Sequence, residues 1–178
     1  MTAISEHQAE MRQSYIWGST GVIVSGIVWL VAAAVAYLVS PQNAVWTLFI
    51  GAVFIAPVSG LLERSLGARG THSAGNPLGK LAAEGLVFML MCLPLAYGLS
   101  LYRMEWFFPA VLMIIGGRYL TFATLYGTRL YWALGVLLGG IALLGFYLSL
   151  EPHLVAFAGG AAELLFGLVL LVTKRGKA

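Results

Sequence analysis

The sequence predicts an all-α polytopic membrane protein with six transmembrane helices, and three observations carry that reading. Hydrophobic residues make up 60% of the 178-residue chain and charged residues only 10%, with a mean hydropathy of +0.90, well outside soluble usage. Six apolar runs of about 20 residues, the length that crosses a bilayer, alternate with short polar connections. Basic residues gather at alternate connections, as the positive-inside rule requires.

Residues 1–15 are polar, and Ser5-Glu6-His7-Gln8 has the form of a capping box, which predicts a short cytosolic lead-in helix. The first span covers 16–38. It is too long for a signal-peptide core, although Ala34-Val35-Ala36 resembles a cleavage site, so it reads as an uncleaved anchor. Gly18, Gly21, Ser25 and Gly26 narrow one end of it for close helix contact. Ser40-Pro41-Gln42-Asn43 is a tight turn into the second span, 44–62, where Pro57 removes a helix hydrogen bond and predicts a kink. Residues 63–78 form the longest connection, rich in Gly, Ser and Asn, and read as a mobile loop. Its Gly75-to-Lys80 end is no phosphate loop, because the glycine spacing is wrong and no Ser or Thr follows the lysine. The third span, 79–101, holds Glu84 near its start and a second kink residue, Pro94. The fourth covers 106–126, and the fifth, 130–149, has Gly135, Gly139, Gly140 and Gly145 on a surface open to another helix. The sixth span is 154–173 and contains Glu163; residues 174–178 are a basic tail. Residues 16–173 thus form a single membrane domain.

With six spans, eight of the ten basic residues share one side of the bilayer, Arg103 alone lies opposite, and Arg118 is inside the membrane. Both termini therefore read as cytoplasmic. Trp17 and Trp132 mark the inner interface and Trp46 and Trp106 the outer one; Trp29 fits neither. Residues 17–64, 79–129 and 131–175 each read as a hairpin whose second helix has a mid-span glycine and a basic end, the pattern of three parallel repeats.

Arg118 is the costliest residue in the chain, since an arginine at the centre of a membrane helix is unfavourable by roughly 2.5–3.5 kcal/mol on insertion scales. It precedes Arg129, and Glu163 precedes Lys174, by eleven residues each, so both sit roughly 16 Å from the inner end. That shared depth predicts a buried Arg118–Glu163 ion pair, with Glu84 as a shallower second acceptor or as the partner of Lys80. Thr121, Thr124 and Thr128 continue a polar stripe from Arg118 towards the cytoplasm. Threonines in such positions also bond to their own helix backbone.

Several classes are excluded. No basic face exists for nucleic acid, and the single cysteine, Cys92, permits no intramolecular disulfide. There is no Asp, no His within a span and no metal-ligand or nucleophile–base spacing, so neither an enzyme nor a metal or other cofactor is expected. Two classes stay open. One is a small-solute or ion transporter using midplane charges. The other is a non-catalytic assembly, accessory or stress-response protein, for which the glycine-rich faces suit a homo-oligomer. Six spans built as three hairpins in under 200 residues resemble, in architecture, the HdeD acid-resistance family among the small bacterial six-helix membrane families. The resemblance implies a bacterial inner membrane and no mechanism.

Overall fold

The computed structural model describes residues 3–174, and no strand occurs among them. The helices are α1 (Ala3–Tyr15), α2 (Ser19–Leu38), α3 (Pro41–Ser65), α4 (Pro77–Tyr102), α5 (Phe107–Tyr126), α6 (Leu130–Tyr147) and α7 (Pro152–Lys174), with 3-10 turns at Ile16–Gly18 and Met104–Trp106. Six of these segments are long and apolar enough to cross a membrane. Residues 175–178 of the basic tail lie outside the described residues.

Local chemistry sets most helix ends. Ser40 accepts a hydrogen bond from the Asn43 amide (3.2 Å) ahead of Pro41, and Asn76 accepts one from Leu78 (3.0 Å) ahead of Pro77; each proline takes the first turn, where its missing N–H costs nothing. The predicted turn at 40–43 is therefore the first turn of α3. At its other end α3 runs on to Ser65, past the expected limit of 62. The expected capping box does not cap α1, because the helix already begins at Ala3 and Gln8 instead donates to the Thr124 carbonyl (2.8 Å).

The closest packing runs between the hairpins. The most extensive contact joins α2 to α7, followed by α5 to α6, while α3 and α4 lean on α2 and α5 as outer arms. Glycine makes both central contacts possible. A Cβ on Gly26 would come within 2.6 Å of the Leu164 amide nitrogen and one on Gly160 within 2.9 Å of the Leu30 nitrogen, so α2 and α7 touch backbone to backbone. Gly116 and Gly135 do the same for α5 and α6, each facing the other's carbonyl oxygen. Trp29, which matched no interface, is buried against Phe108 beside Gly160.

A sharp reversal separates α1 from α2. Ile16, Trp17 and Gly18 all have positive φ (47°, 60° and 75°), and the Tyr131 hydroxyl donates to the Trp17 carbonyl at 2.6 Å. For a β-branched residue such backbone is a genuine outlier, held only by its surroundings. The reversal lays α1 across one end of the bundle, the end carrying most of the basic residues. There Arg12 donates to the Tyr126 carbonyl (3.0 Å). The 66–76 connection, expected to be a mobile loop, is tied to α1: the Glu10 carboxylate accepts from the Ser73 amide (2.6 Å) and from Asn76 (2.7 Å), Gly70 donates to the Ser14 carbonyl (2.9 Å), and His72 is hydrogen-bonded to Tyr15 (2.6 Å). The Ser73 amide, and after it Asn76, hold the Glu10 carboxyl below its ordinary range.

The glycine contacts generate a sharp contrast. Gly160→Val should lower the stability of the purified protein by about 1–3 kcal/mol through overpacking against α2. Gly140, with open space where its Cβ would stand, should accept valine within about 0.5 kcal/mol in the same thermal-unfolding measurement.

Candidate functional site

Because α3 and α4 pack on α2 and α5 and hardly on each other, a cavity of about 290 Å³ is left between them, with α2 and α5 as its back wall. It is mostly apolar, lined by residues such as Val22, Trp29, Leu48, Ile55, Leu86 and Leu93. Its polar groups are few: Tyr15, Ser25, Ser59, Glu63, Arg118, Tyr119 and Tyr126. At the far end from α1 an aromatic cluster brings α3, α4 and α5 together, with Trp46 against Tyr97 (6.1 Å between centroids), Phe49 against Tyr97 (6.4 Å) and Phe49 against Phe107 (5.5 Å). At the basic end Tyr15 of α1 forms part of the lining.

Arg118 reaches the cavity because of the glycine two residues before it. Positions two apart on a helix point about 200° apart, so seating Gly116 against α6 turns Arg118 towards α4. There its guanidinium lies 5.4 Å from the centroid of the Phe122 ring, and Nη1 donates to the Met89 sulfur at 3.6 Å. Nε is buried with no hydrogen-bond partner. Among the described residues no carboxylate neutralises this cation within 4.0 Å. The expected Arg118–Glu163 ion pair is thus not formed.

Glu163 is fully buried, but behind the cavity wall. It lies between Gly160 and Gly167 on the face of α7 that meets α2, and the hydroxyls nearest its carboxyl are those of Ser25 and Tyr119, both of which line the cavity. Neither carboxyl oxygen makes a hydrogen bond of full geometry. An equal count along each helix is insufficient as a criterion for contact. Tyr119, the residue after Arg118, takes the direction towards Glu163.

The chain belongs to DUF7010, a family of unknown function. The family profile covers residues 4–173, essentially the whole described molecule. No curated protein and no solved structure matches this DUF7010 member, so the expected likeness to the HdeD family, drawn from span pattern and glycine placement, is not shown.

The remaining expected residues fall outside the cavity. Glu84 is exposed on α4 and forms no ion pair with Arg118 or with Lys80. Thr121 donates to the Arg118 carbonyl (2.8 Å), Thr128 accepts from the Leu130 amide (3.4 Å), and Thr124 is exposed. Helices α3 and α4 run without interruption through Pro57 and Pro94, both of which are exposed. Among the described residues no three His, Cys, Asp or Glu side chains converge as metal ligands would.

Sequence reasoning missed Glu63. Ending the second span at 62 put it in a loop, whereas it is a buried residue of α3 that accepts a hydrogen bond from Thr20 at 2.8 Å. A signal was present: Ala52, Ala56, Ser59 and Glu63 recur at helical spacing, a narrow stripe that continues past the apolar run. Two double-mutant cycles separate the true contact from the expected one. Thr20→Val with Glu63→Gln should show a coupling of about 1–3 kcal/mol, whereas Arg118→Met with Glu163→Gln should be additive within about 0.5 kcal/mol by thermal unfolding.

Proposed function

We propose that this DUF7010 member is a non-enzymatic carrier for a small solute or ion, lying in a bacterial inner membrane with both termini cytoplasmic. The observation that supports it best is Arg118: a guanidinium inside the membrane-spanning part, facing the cavity and, among the described residues, left without a carboxylate. Intramembrane charge is costly and is retained where it meets a substrate, an ion path or a partner. The aromatic cluster at one end of the cavity and the α1 strap at the other are the two closures an alternating site needs. An assembly role has less behind it, because the glycine face of α6 expected to receive another subunit receives α5 through Gly135.

Solvent access tests the carrier reading. In a Cys92→Ser background, Ser59→Cys should react with a membrane-impermeant maleimide from the cytoplasmic face of inverted vesicles. Ala52→Cys, nearer the aromatic cluster, should react more slowly from that face and also from the opposite one. Protection of both cysteines from both faces would exclude a water-accessible path and with it the carrier.

A further inference from the structure

We propose that the cavity binds a small anionic amphiphile, an apolar body carrying one carboxylate or phosphate, with the anionic group on Arg118. This deepens the carrier reading, but binding stands or falls separately from transport.

Charge is the first argument. A guanidinium offers five N–H donors in a planar fork that matches carboxylate and phosphate. Here one donor is spent on a thioether and the buried Nε on nothing, while the guanidinium carbon lies over the Phe122 ring. Weak ligands of this kind leave an anion much to gain. The two buried carboxyls do not compete for the site. Glu163 stands behind Ser25 and Tyr119, and Glu63, engaged by Thr20, is in the last turn of α3. By helix count Arg118 is about 12 Å from the basic end of its helix and Glu63 about 3 Å, which separates them by about 9 Å in depth.

The second argument is the body of the cavity. Its remaining lining is mostly apolar, from α2, α3, α4 and α5, and its volume of about 290 Å³ is at the low end for ligand sites. It has room for one short chain, or for a lipid headgroup with the first carbons of its tails. The third argument is the route in. Beyond the aromatic cluster α3 and α4 scarcely touch, and their outer faces, with Phe54, Val58, Val87 and Phe88, are exposed apolar surface of the kind that meets lipid. An amphiphile in the adjoining leaflet therefore meets a slot that leads sideways to Arg118.

The test is photolabelling in proteoliposomes with diazirine-bearing decanoic acid, set against its methyl ester, and with cross-links mapped by mass spectrometry. The acid should label the 86–93 and 115–126 segments, and the ester should not. Arg118→Met should cut this labelling at least tenfold while keeping the wild-type thermal midpoint. Should that variant fail to fold, Ala56→Phe, which fills the cavity and keeps Arg118, must abolish labelling by the acid. The source is read from a second pair of probes. Cavity labelling by diazirine phosphatidylglycerol in preference to phosphatidylcholine supports a ligand drawn from the leaflet, and labelling by decanoate alone supports a free acid. Equal labelling by acid and ester, or undiminished labelling in Arg118→Met or Ala56→Phe, overturns the proposal. Acid labelling with Ser59→Cys and Ala52→Cys both closed to maleimide from both faces would remove the carrier and keep the site; the opposite result would remove the site and keep the carrier.

Discussion

The backbone contact between α2 and α7 is the constraint on which the rest of the molecule depends. Lipid tails are as apolar as leucine, so helices in a bilayer gain little by hiding apolar side chains from it; association rests on van der Waals contact and on how closely backbones approach. Gly26, Gly160 and Gly167 bring these two helices, the first and last spans, within touching distance. Everything attached to α2 is thereby fixed against the end of the chain. Gly116 and Gly135 repeat the device for α5 and α6, and the two close pairs make a four-helix core. The arms α3 and α4 are left with one packed side each. The cavity follows from that arrangement: it is the space between two arms that lean on different members of the core.

The same glycines decide where the charges point. Gly160 and Gly167 turn one face of α7 to α2, and Glu163 on that face is sealed between the helices. Gly116 turns one face of α5 to α6, and Arg118 is sent the other way into the cavity. A carboxyl and a guanidinium placed at similar depth therefore end in neighbouring compartments with Tyr119 and Ser25 between them.

The spans were legible in the sequence because hydropathy and length are set by the bilayer and need no tertiary information. Caps at Ser40 and Asn76 were legible for the same reason, since they are local. Azimuth was not. A helix in lipid shows little hydrophobic asymmetry, so nothing in the residues around Arg118 said which neighbour it would face, and depth alone suggested the wrong pairing. The fold-back of α1 was equally hidden. No local rule predicts positive φ at Ile16 and Trp17; that backbone is held by Tyr131, more than a hundred positions away. Glu63 was lost to a boundary error of three residues, which is ordinary for helix ends but decisive when the residue concerned is a buried carboxylate.

The setting of Arg118 also bears on whether it is structural. A structural arginine in a membrane is best saturated, because each unmet donor adds to the cost of holding the charge there. Inserting the charge costs roughly 2.5–3.5 kcal/mol on translocon scales. One aromatic face returns about 0.5–2 kcal/mol, and a sulfur is a weak acceptor that returns less than an oxygen would. A buried carboxyl was within reach of evolution at this depth, since Glu163 is there, yet the fold walls it off from the guanidinium. An arrangement that serves packing alone is free to join them. One that must receive an anion from outside cannot, because an internal carboxylate would hold the fork against every incoming ligand.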